Sequence, residues 1–319
     1  MCVRFSDTIK KGRQRINAAA YVRGRMMRFL ITTALLLSCS LCWAEDFPQD
    51  TNEIKSLTAE QAAELVKLKG EYLNLGGLTS IDKDVAQELV KLKGEYLNLD
   101  GLTSIDKDVA EELAKCQGSL VLRGLTSIDK GMAQELAKFK GEWLILDGLT
   151  SIDKDVAQEL AKVKGNLSLN GPTSIDKDVA QELAKFEGHW LSLSGLTSIE
   201  KDVAQELAKF KGENLVLNGL TSIDKGMAQE LAKFKGEWLM LNGLTSIDKD
   251  VAQELAKFKG EWLILNGLTS IDKDVAQELA KFKGNLSLRG LTSIDKEVLK
   301  ILKSNPKIHL PEEYSDKKD

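Results

Sequence analysis

The spacing of apolar residues changes along a short stretch that begins at Leu244. Val251, Leu255 and Phe258 are spaced i, i+4 and i+7, which places them on one face of a helix. Asp248 precedes this pattern and is its predicted N-cap, because a carboxylate accepts hydrogen bonds from the free N–H groups of the first turn. The pattern therefore predicts a short helix that begins after Asp248.

A change to alternating apolar residues follows this helix. Gly260 predicts the C-terminal end of the helix, because glycine tolerates the left-handed conformation common there. Leu263 and Leu265 then alternate with other side chains, which is the period of a strand. Asn266-Gly267 predicts a turn into the next apolar residue. One helix and one strand therefore make a unit.

The unit recurs along most of the chain at intervals of 24 or 23 residues. Self-similarity at such a period predicts a solenoid. Neither short element can bury its apolar face alone, so neighbouring copies must stack into one continuous core. The strands should then form a parallel sheet with a spacing of about 4.8 Å. The copies begin at Ile54, Leu78, Leu102, Leu125, Leu149, Pro172, Leu196, Leu220, Leu244, Leu268 and Leu291.

The paired leucines of the predicted strands resemble the leucine-rich repeat family, whose pattern is LxxLxLxxN/CxL. The resemblance covers about residues 54–310 and is closest to bacterial or cysteine-containing subtypes. It implies an α/β solenoid of about 11 coils: a horseshoe with a parallel β-sheet on the concave face and α-helices on the convex face. The leucine pairs are Leu73/Leu75, Leu97/Leu99, Leu120/Leu122, Leu144/Leu146, Leu167/Leu169, Leu191/Leu193, Leu215/Leu217, Leu239/Leu241, Leu263/Leu265 and Leu286/Leu288.

One position departs from the family pattern. Leucine, as at Leu78, or Pro172 stands where the family has an asparagine or cysteine that bonds turn backbone between coils. Leucine cannot make that bond, so other groups must satisfy the turn backbone. We expect the neighbouring threonine and serine hydroxyls, such as that of Thr79, to do so.

The N-terminal segment, residues 1–44, is predicted to be a signal peptide or another export segment. Its first 28 residues are basic, and a short apolar run, residues 29–37, follows. That run is short for a membrane span. Cleavage after Ala44 is one route. The alternatives are lipidation at Cys39, in a stretch that resembles a bacterial lipobox and would provide a lipid anchor, and an uncleaved anchor.

The basic leader is long, so Met26 and Met27 are alternatives to Met1 as the true start. Export predicts a periplasmic, outer-envelope or secreted protein, and the mature form is expected to lack a transmembrane domain.

Three further segments follow the leader in the predicted domain organisation. Residues 45–57 are a polar lead-in, residues 58–310 form the leucine-rich repeat solenoid with terminal caps, and residues 311–319 form a charged tail. Thr58 and Gln61 fit a capping box that opens the first helix. The final apolar helix precedes a predicted closing strand, residues 307–310, whose proline and charged tail discourage further pairing.

The net charge and the reactive residue types limit which partners and activities we expect. The formal net charge of −4 becomes more negative without the basic leader, so neither nucleic acid nor an anionic membrane surface is an expected partner. Cys116 occupies the phenylalanine slot of its helix and should be buried and inert. His189 and His309 are interpreted as surface residues. No cofactor, metal or catalytic constellation is predicted, so the protein is interpreted as non-catalytic.

The motif Asp-Lys-Asp at most helix starts admits a calcium interpretation, but its central lysine favours helix capping. The helix glutamate, such as Glu254, recurs in nine of the units and is expected to be exposed.

Strand positions opposite the core leucines, by contrast, differ between units. Aromatic residues there alternate with asparagine and serine, which suits binding of a protein or a glycan. Stacking of aromatics across strands, which would only stiffen the sheet, is the simpler interpretation. The candidate binding residues are Tyr72, Tyr96, Trp143, Ile145, Trp190, Trp238, Met240, Trp262 and Ile264.

Two functions remain open. The first is an exported, non-catalytic protein that binds a protein or carbohydrate ligand on its concave sheet. The alternative is a structural or envelope-associated spacer, or a solenoid that self-assembles through the apolar patch around Trp238, Met240, Trp262 and Ile264.

Overall fold

The computed structural model describes residues 47–314, so the predicted export segment, the Ala44 cleavage site and the Cys39 lipid anchor lie outside the described residues. Helices and strands alternate along this part of the chain. The strands are β1 Tyr72–Asn74, β2 Tyr96–Asn98, β3 Ser119–Val121, β4 Trp143–Ile145, β5 Asn166–Ser168, β6 Trp190–Ser192, β7 Asn214–Val216, β8 Trp238–Met240, β9 Trp262–Ile264, β10 Asn285–Ser287 and β11 Ile308–His309.

A short α-helix precedes each strand. In the unit that begins at Leu244, the Val251 N–H donates to Asp248 Oδ1 at 2.8 Å, which confirms the predicted N-cap. The helices are α1 Ala59–Lys69, α2 Lys83–Leu89, α3 Lys107–Leu113, α4 Lys130–Leu136, α5 Lys154–Leu160, α6 Lys177–Leu183, α7 Lys201–Leu207, α8 Lys225–Leu231, α9 Lys249–Leu255, α10 Lys273–Leu279 and α11 Lys296–Lys303.

Most helices are shorter than the periodicity predicts. Helix α9 ends at Leu255, five residues before Gly260. The Phe258 N–H donates to the Leu255 carbonyl at 3.0 Å, an i→i−3 bond typical of a tightened turn. Phe258 is 3% exposed all the same, because the turn carries its ring into the core. Phe258 therefore lies in a turn, although its spacing from Leu255 predicted that the helix continued to it.

The left-handed conformation predicted for Gly260 is wrong. Among the glycines in the described part of the chain, only Gly70, after α1, has a positive φ, of 64°. Gly260 is needed for close approach instead: a Cβ there would lie 2.5 Å from the Gly236 carbonyl oxygen and 2.2 Å from the Phe258 ring. Any larger residue would push neighbouring coils apart.

The eleven strands form one parallel sheet in sequence order. Their register aligns equivalent residues, so that Leu263 pairs with Leu239 on one side and with Leu286 on the other. With one strand and one helix per coil, the predicted α/β solenoid of leucine-rich repeats is confirmed.

The core is built from columns of equivalent side chains. Five phenylalanine rings stack along the coils, with centroids 5.8 Å apart between Phe186 and Phe210 and 6.1 Å apart between Phe258 and Phe282. Cys116 takes the same slot and is 4% exposed, which confirms its predicted burial. Burial raises the pKa of its thiol, so the thiol stays protonated.

The recurring helix glutamate is buried, so its predicted exposure is wrong. Glu254 is 6% exposed, and Lys257 Nζ lies 2.7 Å from its carboxylate. In an earlier coil, Glu112 pairs with Lys115 at 2.6 Å and lies 4.0 Å from Lys83 of the preceding helix. Stacked neighbouring helices cover these carboxylates while lysine Nζ groups satisfy them, so the repetition reflects packing rather than free solvent exposure.

Residues of the Asp-Lys-Asp motif make two kinds of contact: the first aspartate caps its own helix, and the lysine pairs with the next coil. Asp248 caps α9, which confirms the capping interpretation, and Lys249 Nζ lies 3.2 Å from Asp274 of the next helix. Within residues 47–314, no group of three or more His, Cys, Asp or Glu side chains is arranged to hold a metal ion.

Both ends of the described solenoid show a structural feature that the sequence predicted. Thr58 and Gln61 form the predicted capping box of α1. At the other end, Asn305 Nδ2 donates to the carbonyls of Ala280 and Phe282, and β11 pairs with β10 as the predicted closing strand. None of the helices from 47 to 314 has the length and apolar character needed to cross a membrane.

Candidate functional site: the outer face of the sheet

The outer face of the sheet is the side opposite the core leucines, and each strand from β1 to β10 contributes one residue to each of its three rows. In β8 the first row holds Trp238, the second row Met240 and the third row Asn242, just after the strand. The first row is Tyr72, Tyr96, Ser119, Trp143, Asn166, Trp190, Asn214, Trp238, Trp262 and Asn285. The second is Asn74, Asn98, Val121, Ile145, Ser168, Ser192, Val216, Met240, Ile264 and Ser287. The third is Gly76, Asp100, Arg123, Asp147, Asn170, Ser194, Asn218, Asn242, Asn266 and Arg289.

First-row aromatics stack across the strands. The rings of Tyr72 and Tyr96 lie 4.8 Å apart with planes 4° from parallel, and those of Trp238 and Trp262 lie 5.2 Å apart. Trp143 and Trp190 meet edge to face at 5.6 Å across the intervening β5. Tyr72, at the end of the sheet, keeps 56% of its surface exposed. Burial, followed by the nearby Tyr96 and Asp100, raises the pKa of Tyr72, so its hydroxyl stays protonated.

The second row is covered rather than open. Val216, Met240 and Ile264 form a small apolar cluster, and each is 9% exposed or less. The indoles of Trp190, Trp238 and Trp262 pack over this cluster. Ile145, in the same row of β4, is 8% exposed. The predicted apolar patch therefore exists, but its accessible part is the tryptophans and not Met240 or the isoleucines.

The third row carries a hydrogen-bonded ladder that the sequence patterns had not indicated. The Asn242 N–H donates to Asn218 Oδ1, and the Asn266 N–H donates to Asn242 Oδ1, both at 3.0 Å. Asp147 Oδ1 does the same for the Asn170 N–H at 3.0 Å. The recurrence of Asp or Asn two residues after the strand was the signal that could have revealed it.

This ladder carries much of the bonding between coils that we had assigned to hydroxyl groups. Threonine hydroxyls make such a bond from Thr150 to the Thr126 carbonyl and from Thr292 to the Thr269 carbonyl, each at 3.3 Å. The N–H of the leucine that replaces the family asparagine is satisfied locally, as where Leu268 donates to the Leu265 carbonyl at 3.2 Å. The hydroxyl prediction is therefore only partly confirmed.

Polar side chains between β2 and β6 satisfy one another. Arg123 pairs with Asp100 at 3.3 Å and with Asp147 at 3.4 Å. Burial opposes the charge of Arg123, but Asp100, followed by Tyr96 and Asp147, outweighs it and raises the pKa of the guanidinium. Asn170 Nδ2 donates to Ser168 Oγ at 2.8 Å, and Asn170 Oδ1 accepts from Ser192 Oγ at the same distance.

Donors between β7 and β9 are left free. The ladder uses the Oδ1 atoms of Asn218, Asn242 and Asn266, and within the described chain their Nδ2 groups donate to nothing. The indole N–H groups of Trp238 and Trp262 likewise have no protein acceptor there. Solvent reaches all of these donors, because no buried side-chain nitrogen or oxygen of the described residues lacks a partner. This part of the outer face can bind acceptors without first breaking internal bonds.

The two histidines differ in setting. His189 is exposed, as predicted, with Nδ1 3.0 Å from Glu213. His309 is half-buried instead, because its ring stacks on Trp262 at a centroid distance of 4.8 Å. Burial, followed by the charge of Arg289, lowers the pKa of His309, so it is neutral near pH 7.

Among solved structures, the chain is similar to an internalin from Listeria monocytogenes str. 4b F2365, with 19% sequence identity and a TM-score of 0.40. The match covers 81% of this chain and 84% of that chain. No family model matches the chain, and no curated protein matches it. The leucine-rich repeat architecture accordingly stands on the strands, helices and register described above.

Proposed function

We propose that this solenoid is an exported, non-catalytic protein that binds a protein or carbohydrate ligand through the outer face of its sheet. The main support is a difference in solvent exposure between the apolar side chains of the core and those of the outer face. The core leucines and phenylalanines of the described chain are almost fully buried, whereas Trp143, Trp190, Trp238 and Trp262 stay partly exposed on one face. Partly exposed aromatic residues gathered on one surface are characteristic of binding sites.

Export is the second part of the proposal, and it is supported by the sequence of residues 1–44 alone. A basic segment, a short apolar run and the small residue Ala44 support a periplasmic, outer-envelope or secreted location. Mass spectrometry of the protein recovered from cells would test it. A mature chain that begins at Glu45 supports cleavage after Ala44, and an acylated Cys39 supports the lipid anchor. An intact leader on cytosolic protein would contradict export.

A structural or self-assembling role is the second candidate. The observation that favours it is the stacking of Tyr72 on Tyr96 and of Trp238 on Trp262, since aromatic pairs on adjacent strands stiffen a sheet without any ligand. In that case the full chain would assemble or space other components, and changes on the outer face would alter only assembly or stability.

Ligand capture separates the two candidates. The full chain and a Trp190→Asn/Trp238→Asn/Trp262→Asn variant would be used to capture partners from envelope extract, host-cell extract and a glycan panel. Asparagine is the matched replacement, because the first row already holds Asn166 and Asn214. Capture by the wild type and its loss in a folded variant is the expected result. Equal capture by both proteins, or none by either, would contradict binding through this face.

A further inference from the structure

The outer face of β7, β8 and β9 carries no charge. Its nine positions hold only asparagine, tryptophan and aliphatic or methionine side chains, in a chain of which 29% of the residues are charged. The rim at the start of β8 and β9 is balanced, because exposed Glu237 and Glu261 each follow a lysine, Lys235 or Lys259, by two residues. The next strand, β10, brings one charge, the exposed Arg289, beside Asn266. The nine positions themselves offer no charge to attract a strongly charged partner.

This surface is rich in hydrogen-bond donors that the fold itself orients. We call it the tryptophan platform and define it as Trp190, Trp238, Trp262, Asn218, Asn242 and Asn266. The ladder fixes each platform asparagine by its Oδ1 atom, so Nδ2 must point away from the bonded backbone. The indole N–H groups add donors that no residue of the described chain accepts. A ligand would therefore meet donors that are already in place.

The platform also repeats at the spacing of the strands. Asn218, Asn242 and Asn266 follow consecutive strands paired in register, which brings their donors about 4.8 Å apart. A polymer of identical units also presents its acceptors at a constant interval, so successive units can meet successive donors in the same way. Tryptophan rings, which pack over the cluster of Val216, Met240 and Ile264, supply apolar surface beside the donors.

Resting on the proposed function, we propose that the tryptophan platform binds a neutral polysaccharide. Its hydroxyl and ring oxygens would accept from the free Nδ2 and indole N–H groups, and its C–H surfaces would lie against the tryptophan rings. The polar groups between β2 and β6 are a poor second site, because Asp100, Arg123, Asp147 and Asn170 already satisfy one another or their neighbours.

One substitution isolates the free donor. Asn242→Asp keeps the ladder oxygen, replaces the Nδ2 donor by an acceptor and adds charge. The fold tolerates this change, because Asp147 already makes the same ladder bond in its own coil. Asn170→Asp is the matched control, since the Asn170 Nδ2 already donates to Ser168 within the chain. Trp238→Phe is a second variant, which removes an indole N–H while keeping an apolar ring.

Isothermal titration calorimetry of the full chain would use hexasaccharides of glucose, mannose and xylose as neutral probes. A galacturonic acid hexamer and a glucosamine hexamer would serve as the anionic and cationic probes. We expect a neutral probe to bind, Asn242→Asp to weaken it about tenfold, Trp238→Phe to weaken it about fivefold and Asn170→Asp to leave it within about twofold.

Binding of a charged probe alone, or an equal loss in Asn170→Asp, would overturn the inference. If no saccharide binds but a protein is captured in a tryptophan-dependent way, the inference fails while the proposed function stands. If neither saccharide nor protein binds, both fail.

Discussion

The inner face of the sheet repeats leucine from β1 to β10, whereas the outer face changes from coil to coil. Leu239 and Leu263 occupy the same inner position, are fully buried, and pair with each other across adjacent strands. On the outer face the neighbouring first-row residues are Asn214, Trp238 and Trp262. An inner side chain must pack against the same neighbours on both sides, so the same residue type recurs there. An outer side chain borders solvent, so packing restricts its residue type less and it can vary with the ligand that we propose.

The largest loss is expected from the phenylalanine column. Phe234→Ala would remove a ring that stacks on Phe210 and on Phe258, and should lower the free energy of unfolding by about 3–5 kcal/mol. Urea unfolding followed by circular dichroism measures it. Phe234→Leu, which restores much of the volume, is the control. A loss no greater for alanine than for leucine would contradict tight packing of the column.

The next effect comes from the close approach of the coils. Gly243→Ala would place a Cβ 2.3 Å from the Asn218 carbonyl oxygen and should cost about 1–3 kcal/mol. Gly131→Ala is the control, because that glycine lies in α4 at a position where other coils carry a larger residue, such as Asp250 in α9. Its nearest contact would be 3.2 Å from Asp129 Oδ1. It should stabilise the protein by about 0.5–1 kcal/mol. Thermal denaturation of both variants compares them, and destabilisation by Gly131→Ala would count against this account.

A smaller effect is expected from the ladder. Asn266 Oδ1 accepts from the Arg289 N–H at 2.9 Å and from Ser287 Oγ at 2.7 Å. Asn266→Ala should therefore cost about 1–2 kcal/mol, because it leaves two donors without this acceptor. Asn266→Asp keeps the oxygen and should cost less. Equal unfolding midpoints for the wild type and Asn266→Ala would show that the ladder adds no stability.

The smallest effect is expected in the pH dependence of stability. A hydrogen bond from Lys138, aided by the charges of Lys138 and Lys107, lowers the pKa of Glu135 in the folded chain. The stability from this pair is present above the ordinary glutamate pKa of about 4.3 and is lost as pH falls through the lower folded value. Glu135→Gln should therefore flatten the fall of the unfolding midpoint between pH 5 and about pH 3, relative to Glu142→Gln. Identical pH profiles for the two variants would contradict the pairing.

Repetition made the solenoid, its register and its capped helices predictable from the sequence. Local patterns could not show how close neighbouring coils lie. That closeness buries Glu254 and requires Gly260 for its small size. Local patterns also could not show that Phe258 reaches the core from a turn.

The candidate site was predictable by strand parity, but its accessible part was not. Met240 is buried because tryptophans of its own and adjacent strands lean over it, a contact between strands that strand periodicity does not encode. The free Nδ2 groups of Asn218 and Asn242 could not be predicted from the sequence, because only the structure shows that their Oδ1 atoms accept the ladder bonds.

The most direct test of the division between the two faces is equilibrium unfolding of two variants of the full chain. One is Phe210→Ala/Phe234→Ala, and the other is Trp190→Asn/Trp238→Asn/Trp262→Asn. We predict that the phenylalanine variant loses far more free energy of unfolding, while the tryptophan variant stays folded with one cooperative transition. An equal or greater loss in the tryptophan variant would show that the outer aromatics are a second core, and would favour the structural role.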